Sequence, residues 1–138
     1  MKNKGFTLIE LLAVIVILAI IALIATPMIL GVIDTAKRGS AESSALGYVE
    51  SVEKSIMLQQ VKGGTALAAG TYSVTSTGDL ASTSATGTKV LDVDFKGAAP
   101  TGTVTIGSNS SVTEAKLTFA TIHANKVTYD GSKASIAS

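Results

Sequence analysis

The sequence predicts an α+β protein in which one long N-terminal helix spine, hydrophobic in its first half, packs against a small antiparallel β-sheet. Three observations support this prediction. Residues 6–33 are almost entirely aliphatic, residues 41–60 repeat apolar side chains at helical spacing, and residues 65–138 contain 24 Ser or Thr in 74 positions. A chain of 138 residues holds at most one globular domain, because such domains take about 100–200 residues.

The first element is an apolar segment of membrane-spanning length. Residues 11–25 form an unbroken run of 15 apolar residues, and residues 8–25 are 18 positions with one charge. As a helix, such a segment extends about 27 Å, close to the ~30 Å hydrocarbon thickness of a bilayer. A buried core helix is the alternative, but the rest of the chain is too small and too polar to enclose a rod that is apolar on all sides. We therefore predict a membrane-resident helix.

A basic peptide precedes the apolar segment. Lys2 and Lys4 are typical of a secretory signal, but the apolar run is longer than the roughly 7–15 residues of such signals, and no small-residue cleavage site follows it promptly. A cut after Gly5 would instead remove only the basic peptide and leave the hydrophobic helix on the mature protein. The two lysines would hold the N-terminus on the cytoplasmic side of the membrane. Lys37 and Arg38 lie beyond the other end of the segment, so charge counting alone leaves the orientation open.

The stretch KGFTLIE at residues 4–10, followed by the aliphatic run and Pro27, resembles the class III signal of type IV prepilins and the related pseudopilins. This resemblance is confined to the N-terminal quarter of the chain, and beyond it only the layout is similar. It implies that a membrane prepilin peptidase cleaves between Gly5 and Phe6 and N-methylates Phe6. It also implies export through an assembly ATPase and a platform protein.

Glu10 is the only charge inside the apolar segment. An ionisable residue at membrane depth is a functional candidate and is expected to have a partner. Cleavage would create one, the amine of Phe6, which lies four residues away on the same helical face. Pairing with its own Phe6 would merely let the acid sit in lipid, whereas pairing with a neighbouring subunit would set axial register during assembly. We favour the second pairing, because a mis-registered subunit would leave a buried charge unpaired.

The helix is predicted to continue beyond the membrane to about residue 61. Pro27 lacks an amide donor, so it predicts a kink, or else it marks the exit from the membrane. After Gly31 the pattern becomes amphipathic, and the Lys-Gly-Gly run at 62–64 supplies a stop. We predict a leader peptide at 1–5, a transmembrane or filament-core helix at 6–30, its amphipathic continuation at 31–62, and a Ser/Thr-rich head domain at 63–138.

The head domain is predicted to form three or four antiparallel strands with one apolar face. Residues 122–125 are expected to form a hairpin turn that contains His123, and much of 63–88 is expected to be a flexible surface loop. The chain has no Cys, so it lacks the C-terminal disulfide loop that is frequent in pilins. The strand candidates, which alternate apolar and polar residues, are 72–75, 89–96, 103–106, 116–121 and 126–129.

Enzymatic activity is not expected, and the sequence predicts no catalytic, cofactor-binding or metal-binding residues. His123 is the only histidine, and no phosphate loop or zinc-ligand spacing is present. Removing Lys2 and Lys4 leaves 9 basic residues against 10 acidic ones, which disfavours direct nucleic-acid binding. Asn109-Ser110-Ser111 is a formal N-glycosylation sequon, a pattern of low specificity.

The resemblance therefore implies a structural subunit, a major pilin that polymerises through its N-terminal helix into an extracellular filament for adhesion, twitching motility or aggregation. Its expected partners are other copies of itself, the prepilin peptidase, and the assembly ATPase and platform proteins. Before assembly the subunit would be a single-pass protein of the cytoplasmic (inner) membrane. A pseudopilin of a type II secretion or DNA-uptake system is an alternative, as is a membrane-anchored ectodomain that does not polymerise. Glu10 favours a polymerising subunit.

Overall fold

A computed structural model describes residues 4–84 and 87–137. These described residues form one helix, α1 (Leu8–Val61), followed by seven strands in a single antiparallel sheet of order β3-β2-β1-β4-β5-β6-β7. This is the predicted α+β, pilin-like architecture of a long N-terminal helix packed against an antiparallel sheet. The strands are β1 (Gly70–Val74), β2 (Leu80–Ser82), β3 (Lys89–Leu91), β4 (Thr101–Ile106), β5 (Val112–Phe119), β6 (His123–Tyr129) and β7 (Ala134–Ile136).

The chain divides into two compact units, residues 1–36 and residues 37–138. In the first unit every described residue is exposed except the half-buried Ala25. Its helix runs without interruption through Pro27, and the kink remains a prediction. Within the described residues, α1 is the one helix long and apolar enough to cross a membrane. An apolar surface of this extent is stable only when lipid or protein covers it.

In the second unit, one stripe of α1 packs against the inner face of the sheet. The stripe was predicted from its spacing of three and four residues, and six apolar residues in it are buried, namely Ala41, Ala45, Tyr48, Val49, Val52 and Ile56. They share a core with alternate residues of the strands, including Val104, Leu117, Phe119 and Val127. This alternation puts Thr103 and Lys116 on the other face of the sheet, which explains how so polar a sequence still builds a core.

Two glutamates of α1 tie the helix to backbone amides of the sheet. The Val112 amide donates to Glu53 Oε1 at 2.9 Å, and the Ile136 amide donates to Glu42 Oε1 at 3.0 Å. Strand β7 lies at one edge of the sheet, where an amide pointing outward has no strand partner. Glu42 therefore covers this amide and fastens the last strand to the helix.

A second connection joins the helix to the turn between β1 and β2. The Tyr48 hydroxyl donates to the Gly78 carbonyl at 2.6 Å, and its ring meets Phe95 edge-on with centroids 5.3 Å apart. Burial, followed by the nearby Asp79 carboxylate, raises the pKa of Tyr48. The phenol therefore stays neutral and acts as a donor in this buried contact.

Asp79 ties this turn to the segment that follows β3. Its carboxylate accepts hydrogen bonds from the Val93 amide at 3.0 Å and the Thr77 hydroxyl at 2.8 Å, and Lys89 Nζ lies 3.1 Å away. Burial raises the pKa of Asp79, but the hydrogen bonds and the Lys89 charge outweigh burial and lower it to about 2. The carboxylate is thus ionised and fully partnered under ordinary conditions.

The prediction of three or four strands was wrong in number, because β2 and β7 contain only three residues each. Such strands are too short for their alternation to be distinguished from chance. Strand β1 overlaps the predicted strand at 72–75, whereas β2 lies in the part of 63–88 that was expected to be a loop.

Two strand boundaries also differ from those predicted. Strand β3 ends at Leu91 rather than continuing to residue 96, because the amide of Val93 turns to the Asp79 side chain instead of a neighbouring strand. His123 begins β6 rather than lying in a turn, and it pairs with Phe119 across the hairpin. The register shifts between Leu117 and Phe119, an irregularity that periodicity does not reveal.

Candidate processing and assembly site at the N-terminus

The N-terminal end of α1 is closed by reciprocal hydrogen bonds between Thr7 and Glu10. The Thr7 amide and the Thr7 hydroxyl each donate to Glu10 Oε2 at 2.9 Å, and the Glu10 amide lies 3.4 Å from the Thr7 hydroxyl oxygen. Helix α1 begins at Leu8, so Thr7 is its N-cap and Glu10 its third residue. This arrangement is a capping box, which satisfies amides that the first helical turn leaves without partners.

Thr7 is the functional residue that the sequence analysis missed. The stretch Thr7-Leu8-Ile9-Glu10 has the S/T-x-x-E pattern that precedes an apolar run at helix starts. This pattern predicts a helix cap, whereas the position of the acid inside an apolar segment predicts a role in the membrane, and the structure shows the cap. Glu10 thus has a structural partner in its own chain before any second subunit is considered.

The predicted cleavage position lies just outside the capped helix. Residues 4–7 have no regular secondary structure, and each is exposed, Phe6 to 87%. The bond between Gly5 and Phe6 therefore lies on accessible, non-helical chain two residues before Leu8. Cleavage there and N-methylation of Phe6 remain predictions.

The geometry leaves one carboxylate oxygen of Glu10 for another partner. Both Thr7 donors use Oε2, and within the described residues no hydrogen bond uses Oε1. Before cleavage the Phe6 nitrogen is a peptide amide and carries no charge, so the predicted ion pair between this nitrogen and Glu10 would require processing. The capped helix thus holds an acid in place beside the position where a new amine would arise.

Residues 1–26 match the family model described as the prokaryotic N-terminal methylation motif. The N-terminus is a prepilin-type class III signal. The matched segment includes Thr7, Glu10 and the predicted cleavage position, and it supports a type IV pilin-like or pseudopilin-like protein. No curated protein and no solved structure shows a significant match to the chain.

This signal points to a structural protein that is processed by a prepilin peptidase and assembled into a pilus. Together with the exposed apolar helix, it fits a membrane-anchored precursor. The match ends at residue 26, so the pilin-like character of the remaining chain rests on its architecture, a helix packed on an antiparallel sheet.

The head carries a separate open groove between the last turns of α1 and the segment around β3. Its volume is about 940 Å³, and it is lined by residues that include Leu58, Lys62, Lys89, Asp92 and Phe95. Lysines and carboxylates face the same space, so no single charge dominates it. In the described part of the chain, no three His, Cys, Asp or Glu residues lie close enough to hold a metal ion.

Proposed function

We propose that this chain is the major pilin of a type IV pilus, cleaved after Gly5, methylated on Phe6 and polymerised through its N-terminal helix into an extracellular filament. The observation that carries the proposal is the continuity of the methylation motif with a helix whose large apolar side chains are exposed from Leu8 to Ile33. Lipid can cover that surface before assembly. Once the subunit leaves the bilayer, other copies of the same helix are the matching cover.

The proposed assembly contact is an ion pair between Glu10 of one subunit and the Phe6 amine of its neighbour. The capping box fixes Glu10 at the first turn, and Oε1 is available for this contact. An acid near a helix N-terminus is also stabilised by the helix dipole, which favours the charged form that this ion pair needs. A subunit in the wrong register would bury this charge without its partner, which costs several kcal/mol.

The proposed partners follow from the same chemistry. A prepilin peptidase would cut and methylate the chain at the cytoplasmic membrane, and an assembly ATPase with its platform would extract the subunit into the growing homopolymer. The 37–138 unit, with its helix-packed sheet, would form the filament surface and serve in adhesion, twitching motility or aggregation. Direct nucleic-acid binding is not part of the proposal, because the mature charges nearly balance.

Electron microscopy of sheared cell-surface material, with mass spectrometry to identify its major subunit, tests this proposal. Long filaments built mainly from this chain are expected. Recovery of the chain from the membrane fraction alone would contradict a major pilin and would favour a pseudopilin or a simple membrane anchor. A parallel strain that lacks the chain should shed no such filaments, which ties the structures to this subunit.

A further inference from the structure

The turn between β4 and β5 presents an asparagine at the surface of the head. Asn109 is exposed, and it lies in the five-residue connection between Ile106 and Val112. The turn is closed by the Gly107 amide, which donates to the Ser111 carbonyl at 2.9 Å, and by the Ser110 amide, which donates to the Gly107 carbonyl at 3.1 Å. These bonds hold the residue on a short, defined hairpin rather than on a long loop.

Within this turn, the first and third residues of the sequon, Asn109 and Ser111, are joined by hydrogen bonds. The Ser111 hydroxyl donates to Asn109 Oδ1 at 2.8 Å, and the Ser111 amide donates to the same oxygen at 3.3 Å. Because an amide N–H can donate only to the oxygen of a carboxamide, these contacts fix which side of the Asn109 group faces the backbone. Its Nδ2 makes no hydrogen bond to any residue that the structure describes.

Ser110, the middle residue of the sequon, is bonded to helix α1. The Ser110 hydroxyl oxygen accepts a hydrogen bond from Gln60 Nε2 in the last turn of α1, at 3.2 Å. Ser110 also has a positive φ of 62°, which turns the chain sharply after Asn109. The turn is thus anchored through Ser110, and the Asn109 carboxamide projects from it.

We propose that Asn109 is an N-glycosylation site, modified by a membrane oligosaccharyltransferase that takes its glycan from a polyprenyl-pyrophosphate-linked oligosaccharide. The proposal rests on the proposed function, which exports the head to the compartment where such transfer occurs. The pattern Asn-x-Ser marks acceptor sites on surface loops of secreted proteins. Here the sequence pattern coincides with an exposed asparagine, an unused amide nitrogen and a serine hydroxyl already at its side.

The reaction balances without any redox step. Asn109 Nδ2 forms a bond to C1 of the first sugar, and the bond between C1 and the pyrophosphate oxygen breaks. The polyprenyl pyrophosphate leaves with the electron pair, and the amide proton passes to a carboxylate base of the transferase. In the head itself, Ser111 is a positioning residue, since its hydroxyl holds the Asn109 carboxamide but does not react.

The proposal is tested on the full-length chain in the strain that encodes it. Trypsin cleaves after Lys96 and Lys116 and releases residues 97–116, a peptide in which Asn109 is the only asparagine. Mass spectrometry of this peptide is expected to show a glycan attached to Asn109, located by fragmentation that preserves the sugar linkage. An unmodified peptide from wild-type subunits would overturn the proposal.

Four variants separate modification from turn formation. N109D keeps an acceptor oxygen for Ser111 but has no amide nitrogen, and S111A removes the hydroxyl, so both should lose the glycan completely. S111T and S110A should retain it. A glycan that persists in N109D would be linked elsewhere in the peptide and would also overturn the proposal.

The N-terminal peptide of the same sample distinguishes the two proposals. A subunit that begins at methylated Phe6 but carries no glycan would overturn the glycosylation alone. An uncleaved N-terminus on a glycosylated chain would overturn the pilin proposal and support the glycan. An uncleaved chain without a glycan would overturn both.

Discussion

Glu10 has one role that the structure shows, in helix capping, and one that is proposed, in assembly. It completes the capping box with Thr7 and so fixes where the helix begins. It also places a carboxylate in an apolar segment, where an unpaired charge is costly. The first role explains its geometry in a single chain, and the second is proposed to govern assembly.

The two roles of Glu10 can be separated by substitution. E10Q retains an oxygen that can accept from Thr7, since glutamine also serves in capping boxes, but it removes the charge. We expect E10Q to be cleaved normally and to give filament yields as low as those of E10A. T7V removes the hydroxyl but keeps the acid, so its filament yield should fall less than that of E10Q.

Filament yield is measured on sheared material by immunoblot, with the cleaved fraction of total subunit as the control for processing. Normal yield from E10Q would show that capping, and not the charge, is what assembly requires. Uncleaved E10Q would show instead that the acid acts before assembly.

Asp79 makes the stability of the head depend on pH in the acid range. Its pKa is lowered from 3.8 to about 2, so the folded state holds the ionised form more strongly than the unfolded state does. The stabilisation is present in full above the unfolded value and is lost as the pH falls through the folded value. The shift corresponds to about 2 kcal/mol of unfolding free energy.

Thermal unfolding of the detergent-solubilised chain, followed by the near-ultraviolet circular dichroism of buried Tyr48, is the measurement. The wild type should lose more stability than D79N between about pH 4 and pH 2. D79N should be less stable at neutral pH, because its carboxamide cannot pair with the charge of Lys89. Parallel curves for the two proteins through this pH range would contradict the assigned role of Asp79.

At the level of elements, the helix and most of the sheet were predictable. The strand candidates at 72–75, 89–96, 103–106, 116–121 and 126–129 overlap β1, β3, β4, β5 and β6. The stripe from Ala41 to Ile56 follows helical spacing, and its burial and the end of the helix at Val61 agree with the prediction. The helix was predicted to begin at Phe6 but begins at Leu8, because Thr7 caps its first turn. Strands β2 and β7 were not predicted, because three residues are too few for an alternation of apolar and polar side chains to be recognised.

The attachment of β7 to the helix is a long-range contact. The chain has no disulfide to hold its C-terminal strand, and the bond from the Ile136 amide to Glu42 supplies a non-covalent fastening. E42A should expose this amide, whereas E42Q keeps an accepting oxygen and should largely preserve it. E50A changes an exposed acid on the same helix and is the matched control.

Hydrogen exchange of the Ile136 amide, measured by NMR on the detergent-solubilised chain, checks this prediction. A lost hydrogen bond is worth about 1 kcal/mol, so exchange should accelerate roughly fivefold in E42A. Equal protection in E42A and E50A would show that pairing with β6 alone holds the strand.

On the scale of the whole molecule, one chain carries surfaces suited to two different environments. The first unit exposes apolar side chains almost continuously, while the second buries a complete core of its own. Composition predicted an aliphatic region at 6–33 and a Ser/Thr-rich region at 65–138, and the second compact unit also includes the part of the helix after residue 36. At the N-terminus, Glu10 and the Gly5–Phe6 cleavage position were predicted from the motif. The Thr7–Glu10 cap was not predicted and is shown by the hydrogen bonds of the structure.

The N-terminal residue of the subunit in assembled filaments tests the pilin proposal most directly. Sheared filaments are digested, and the peptide that carries Phe6 is read by tandem mass spectrometry. The chain is expected to begin at Phe6 with one methyl group on its amine, and residues 1–5 should be absent from the filaments. Filaments whose subunits begin before Phe6 would contradict the proposal, because the amine proposed to pair with Glu10 would not exist.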